Sequence, residues 1–176
     1  LEEDGMDNVS MILTAKNPRV VFIDNKSRIV IDLSVDDKLA NHRTKLLKNY
    51  LQIDKRVKPF IFVIKQWAQN RGIASPIEGT LSPYSWTLLG INFLQRIDPV
   101  VVPNLLTNSG TKTGEYDGST FNVGISNASS TDFTSVNSLN IGQLFCQFIE
   151  DLAKNWPWEN YVISVGKGKQ VSRESK

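Results

Sequence analysis

After residue 35 the spacing of apolar residues switches from strand-like to helical, and that switch restricts the fold more than any other feature. Up to residue 35 the apolar runs are short and rich in β-branched residues: "VSMIL", "RVVFID" and "RIVIDLSV". Runs of this kind, bounded by turn residues, predict strands. The "DNKS" between the last two predicts a turn, and with it an antiparallel hairpin of residues 19–23 with residues 28–35. From Val57 the period is helical. Val57, Phe60, Ile61, Ile64, Trp67 and Ala68 share one face of a helix that Asp54 would cap and Gly72 would stop, with Pro59 near its start.

Two further helices follow. Ser82 and Pro83 are an N-cap and first-turn pair ahead of Trp86, Leu89, Gly90, Phe93, Leu94 and Ile97. Asn140 and Gln143 have capping-box spacing ahead of the stripe Ile141, Leu144, Phe145, Phe148, Ile149 and Leu152. Between them residues 107–139 are rich in Ser, Thr, Asn and Gly and predict a polar surface excursion. A short strand, "YVISV", follows "NWPWEN", and the chain closes on the basic polar stretch "GKGKQVSRESK". The fold class is α+β, a partial antiparallel sheet followed by a mostly helical domain.

Composition removes several function classes. The one cysteine, Cys146, permits no intramolecular disulfide and reads as a small core hydrophobe on an apolar helix face. His42 is the only histidine, which argues against a histidine-rich zinc site or a Ser/His/Asp triad. No run of about 18 apolar residues exists, so no membrane partner is expected. The acidic opening "LEEDGMDN" lacks a signal-peptide apolar core, and an intracellular, reducing compartment is the expectation. A net charge of +2 in 176 residues does not by itself point to nucleic acid.

Chemistry-bearing residues fall in three places. Asp32 is a carboxylate inside an apolar strand run, where a charge needs a cation or a metal as partner. Lys65 and Gln69 lie one helical turn apart on a face other than the buried stripe, and Arg71 follows. The helix that begins at Ser82 offers free backbone N–H groups, a ready anion site, and Tyr84 sits in its first turn. An aromatic beside an anion site suits a nucleotide, the ring taking the base and the helix end the phosphates. Asp36 and Asp37 read as caps for a helix starting at Lys38.

The stretch "VVFIDNKSRIVIDLSVDDKLANHRTKLLKNYLQIDKRVKPFIFVIKQWAQNRGI", the later "GTLSPYSWTLLGINFLQ" and "PVVVPNL", and finally "NIGQLFCQFIEDLAKNWPWENYVISVGKGK" resemble, in this order, the terminal uridylyltransferase and poly(A) polymerase family. These are template-independent RNA nucleotidyltransferases with a DNA polymerase β-like palm. The resemblance implies a partition: residues 1–37 the distal palm, 38–106 the first part of a helical central domain, 107–139 the polar excursion, and 140–176 a PAP-associated segment. It implies that Asp32 is the third palm carboxylate, joining two others around Mg²⁺ (or Mn²⁺). By the same resemblance Thr44 contacts ribose and base, Lys65 holds the triphosphate and Tyr84 stacks on the base.

Three positions depart from the family. Arg43 stands where the family has an asparagine beside Thr44, and an arginine can only donate. Gln69 replaces a second phosphate-facing lysine, a loss that Arg71 could offset. Pro83 replaces the serine before the stacking tyrosine, with Ser82 one residue earlier as an N-cap that could face phosphate. The family's Asp-x-Asp strand and its late acidic base-selecting loop are not found. Gly118-Ser119 followed by "DFT" at Asp132 reads as a coincidence in a polar loop.

The expected function is therefore part of an enzyme that adds UMP from UTP to RNA 3′ ends, the chain alone being inactive. The alternatives are a poly(A) polymerase of the same family using ATP, or a non-catalytic nucleotide- or RNA-binding pseudo-enzyme or complex scaffold. The implied partners are an RNA 3′ end, a nucleoside triphosphate and the subunits of a protein complex. Asp32 is expected to be an orphan, facing solvent or a stray cation.

Overall fold

The strand-forming runs pair as their turn chemistry dictates. In a computed structural model, which describes residues 5–14, 18–35, 38–106, 113–116, 119–122, 133–154 and 159–175, β1 (Met6–Ile12), β2 (Arg19–Asp24) and β3 (Val30–Ser34) form an antiparallel sheet in the order β1-β2-β3. Asp24 ties the β2–β3 turn: its carboxylate accepts from the Ser27 backbone N–H at 2.8 Å, and Arg28 takes a positive φ of 57°. These bonds hold the Asp24 carboxyl below the usual aspartate range, the Ser27 hydroxyl first among them. A register shift between Asp7 and Ser10 marks a bulge in β1, where Asn8 has φ 53°.

The apolar run of β3 is not buried as its composition suggests. Val30 is 64% and Leu33 49% exposed, because β3 is an edge of this sheet and only Ile31 is half-covered. The chain divides into two compact units, Leu1–Arg43 and Thr44–Lys176, with the division inside helix α1 (Lys38–Ile53). Asp36 and Asp37, expected to cap α1, lie outside the described residues.

The second unit is organised by three helices, α2 (Val57–Asn70), α3 (Pro83–Arg96) and α4 (Ile141–Lys154). Asp54 does not cap α2 directly. The N-cap position is Arg56, and Asp54 instead turns the chain just before it, accepting the Arg56 backbone N–H at 2.8 Å. At the other end Gly72, with φ 68°, closes a Schellman motif: its N–H bonds to Gln69 O and that of Ile73 to Ala68 O. Ser82 caps α3 as predicted, accepting from Ser85 N–H at 3.0 Å. The capping box of α4 is reciprocal, Asn140 N–H to Gln143 Oε1 at 2.9 Å and Gln143 N–H to Asn140 Oδ1 at 3.0 Å.

Aromatic side chains lock the three helices together. Phe60, Phe93 and Phe148, one from each, have ring centroids 5.6–6.0 Å apart. Trp67 stands edge-on to Trp86 at 5.7 Å and to Phe145 at 6.0 Å. Gly90 lets α2 and α3 close: a Cβ there would lie 2.7 Å from Ile61 Cδ1 and 2.8 Å from Ile64 Cδ1. Cys146 is exposed rather than buried, because Leu144 and Phe148 turn their side of α4 to the core and leave it on the other.

α3 is buried on more than its predicted stripe. Ile91, Asn92 and Gln95 are buried too, since a hairpin of β6 (Tyr161–Ser164) and β7 (Lys169–Ser172) covers that side. The closing basic stretch, expected to be a polar tail, supplies β7 of this hairpin. Asn92 Nδ2 donates to Ser164 O, and Gln95 Nε2 to Val165 O and to the Tyr50 hydroxyl. Another hairpin, Thr113–Tyr116 with Ser119–Asn122, lies within the predicted excursion. Among the described residues no helix is long and apolar enough to cross a membrane.

Arg56 anchors the segment that leads into α4. Its guanidinium donates to Asp54, to Asn137 O at 2.8 Å and to Leu139 O at 2.8 Å, with both partners of the Asp54 pair only 15% exposed. The pairing with Arg56 lowers the Asp54 carboxyl from its usual range and raises the guanidinium. Arg56→Met leaves a poorly hydrated carboxylate and two carbonyls without their donor, an expected loss of about 3 kcal/mol in guanidinium denaturation at neutral pH. Because the folded Asp54 value is depressed, its stabilisation is present above an aspartate's usual pKa of about 4 and fades as pH falls through the folded value. Acid titration of stability should show that component in the wild type and not in Arg56→Met. Gly90→Val should cost about 1–3 kcal/mol by overpacking, whereas Gly90→Ala should stay within about 1 kcal/mol because only isoleucine tips must move. Paired thermal melts test that order.

Candidate functional site

Asp32 has a partner on the adjacent strand. Arg19 Nη1 donates to Asp32 Oδ2 at 3.2 Å across the β2–β3 pair. The register explains it: Val21 stands opposite Asp32, so Arg19, two residues back on the same face, is its diagonal neighbour. The expectation of an orphan charge is corrected. The strand is exposed enough to hydrate Asp32, and the adjacent strand supplies a counter-charge.

The second unit gathers four of the predicted residues at one end of the α2–α3 pair. The two helices run antiparallel, with Phe60 beside Phe93, and Trp67 beside Trp86. The C-terminal half of α2 therefore lies next to the N-terminus of α3. Lys65 and Gln69 are exposed on that half of α2. Ser82 and half-buried Tyr84 occupy the start of α3. The Ser82 hydroxyl is engaged as a cap, bonded to Ser85 N–H and 2.8 Å from Ser85 Oγ. Trp86 is fixed by its indole N–H, which donates to Ile73 O at 2.8 Å.

Arg71 does not join Lys65 and Gln69. Its guanidinium stands 5.9 Å over the Trp67 ring. That flank is about 160° around the helix from Gln69. Arg71 in this position does not replace the charge that Gln69 lacks.

Arg43 and Thr44 are exposed on α1, at the end of the first unit and the start of the second. Two turns further along α1, Tyr50 is fully buried, and its hydroxyl accepts from Gln95 Nε2 at 2.9 Å and Leu105 N–H at 3.2 Å. Burial pushes the Tyr50 phenol up, partly offset by these two bonds. Sequence reasoning missed this anchor, since it joins residues 45 and 55 positions apart.

The described residues do not by themselves fit a divalent-metal centre. No three of His, Cys, Asp and Glu gather among them. Asp32 could give one carboxylate, whereas two-metal phosphoryl transfer needs a cluster.

The family described as "Poly(A) RNA polymerase, mitochondrial-like, central palm domain" matches residues 1–52. Poly(A) RNA polymerase cid13 of Schizosaccharomyces pombe is 31% identical over 98% of this chain and 30% of its own length. Poly(A) RNA polymerase GLD2-B of Xenopus laevis is 31% identical over 92% of this chain and 31% of its own length. The chain thus spans about a third of these curated relatives. Among solved structures, Cid1 poly(U) polymerase with Mg 3′-dATP bound superposes with a TM-score of 0.85 at 28% identity, over 99% of this chain and 55% of that one. Matched almost end to end by such proteins in sequence and in fold, the chain belongs to the terminal uridylyltransferase and poly(A) polymerase family of nucleotidyltransferases.

Proposed function

We propose that the full-length protein adds nucleotides to RNA 3′ ends without a template, with UTP as the favoured donor. The observation that carries this reading is the α2–α3 end, where exposed Lys65 lies beside a helix N-terminus bearing Tyr84 in its first turn. In this reading Lys65 holds the triphosphate, with Gln69 as a neutral hydrogen-bonding neighbour. Tyr84 stacks on the base, the α3 N-terminus with Ser82 faces phosphate, and Arg43 and Thr44 reach ribose and base. Asp32 contributes one carboxylate to the Mg²⁺ (or Mn²⁺) set of the full-length protein, exchanging Arg19 for the metal. Support for UTP is the likeness to Cid1 poly(U) polymerase over 99% of the chain. A second reading, ATP as donor, is favoured by the names of the cid13 and GLD2-B relatives. An RNA end and a triphosphate are the partners in either case, and subunits of a protein complex are a further partner class.

Incubating the full-length protein with a labelled oligoribonucleotide, Mg²⁺ and each triphosphate separately is expected to give tailing with UTP above all others. Tailing with ATP alone supports the second reading. Binding of RNA and nucleotide with no tailing would point to a non-catalytic module. The isolated chain is expected not to tail RNA. Asp32→Ala should abolish transfer yet leave folding nearly unchanged, since an exposed pair such as Arg19–Asp32 is worth about 0.2–1 kcal/mol. Full activity in that variant would mean that another carboxylate does the work. Tyr84→Ala should weaken triphosphate binding by about 1–3 kcal/mol, and unaltered affinity in a titration would assign Tyr84 to packing instead.

A further inference from the structure

Phe62 is an exception on α2. Its neighbours Phe60, Ile61 and Ile64 are buried, but Phe62 is 66% exposed in the middle of the helix. It does not stand alone. Lys58, Phe62, Lys65 and Gln69 recur at helical spacing, so they form one stripe, about a third of a turn from the buried face. All four are exposed. Lys58 and Lys65 lie about 10 Å apart along the axis, with Phe62 between them. The sequence of α2, "VKPFIFVIKQWAQN", contains no acidic residue, so the stripe carries two cations, an aromatic ring and a neutral amide, and no negative charge.

A ring flanked by lysines, with no carboxylate among them, is complementary to single-stranded nucleic acid. The π-face takes a base of any identity, and the ammonium groups take phosphates. A neutral apolar partner would leave both lysines unanswered, and the lack of opposite charge on the stripe gives a mixed-charge protein surface nothing to pair with. We propose that this stripe is the platform for the RNA acceptor strand. Phe62, one turn from the lysine that holds the triphosphate, stacks on a base near the strand's 3′ end, and Lys58, two turns from that lysine, neutralises a phosphate. The proposal rests on the nucleotidyltransferase reading and names the acceptor-strand contact within it.

The test uses the full-length protein and a fluorescein-labelled single-stranded oligoribonucleotide, with anisotropy measured across a salt series and without nucleotide. Phe62→Leu, which keeps apolar bulk but loses the aromatic face, should weaken RNA binding about tenfold. Phe62→Tyr should stay within about twofold of wild type, because it retains the ring. Lys58→Gln should lower the slope of log K against log salt by about 1. Triphosphate affinity and thermal stability, measured in parallel, separate an RNA contact from a packing residue. RNA binding by Phe62→Leu equal to wild type would overturn the proposal. So would equal losses of binding and stability in Phe62→Leu and Phe62→Tyr, which would mean that protein covers this face. If the wild-type protein tails RNA while Phe62→Leu tails and binds it equally well, only the stripe is refuted. If the wild type neither binds nor extends RNA, the nucleotidyltransferase reading falls with it.

Discussion

The close approach of α2 and α3 at Gly90 is the constraint on which the second unit depends. With no side chain at Gly90, Ile61 and Ile64 fill the space a Cβ would need, and the helices settle into contact along their length. Phe60, Phe93 and Phe148 then meet within one aromatic cluster, and Trp67 reaches both Trp86 and Phe145. Burying rings of this size contributes roughly 1.5–3 kcal/mol each, more than any surface pair in the molecule. The same antiparallel contact brings the late part of α2 against the start of α3. Lys65 and Tyr84, far apart in sequence and both off the buried face, thereby come to the same end of a helix pair.

The helices were legible because their determinants are local. Ser82 and Pro83, Asn140 and Gln143, and Gly72 each specify a boundary through a hydrogen bond or φ that spans only a few residues. The hairpin of β2 and β3 was legible for the same reason, since Asp24 and Ser27 close its turn. What was not legible depends on distance in sequence. Nothing near Arg56 announces that its guanidinium will be taken by carbonyls 81 and 83 residues away. The extra burial of Asn92 and Gln95 follows from a hairpin some 70 residues later, whose second strand had read as a polar tail.

At Asp32 the chain itself supplies the cation that the sequence called for. The premise was that a charge in an apolar run needs compensation. The run is apolar, yet β3 lies at a sheet edge, and its side chains are exposed in spite of their chemistry. Cross-strand geometry then provides Arg19 without any outside group. Asp32 also keeps a charge on an edge strand, one of the devices by which natural sheets discourage unwanted pairing. The implied nucleotide residues depend less on such geometry: Lys65 and Gln69 were expected on an unburied face of α2, and both are exposed there.

The bonds around Arg56 also bear on how this chain can change in length. Ser135 Oγ donates to Val100 O, and Asn137 Nδ2 to Pro99 O, so the two ends of a long connection are fastened to each other beside the core. Arg56 holds the returning strand of that connection against the start of α2. Once the stem is pinned, closing a loop twice as long costs only about 0.6 kcal/mol more. Val101, Val102 and Leu105 belong to the core, so only a change in length beyond Leu106 and before Ser135 would leave the three-helix packing as it is. Engineered insertions have a ready place to enter the chain between those two pinned ends.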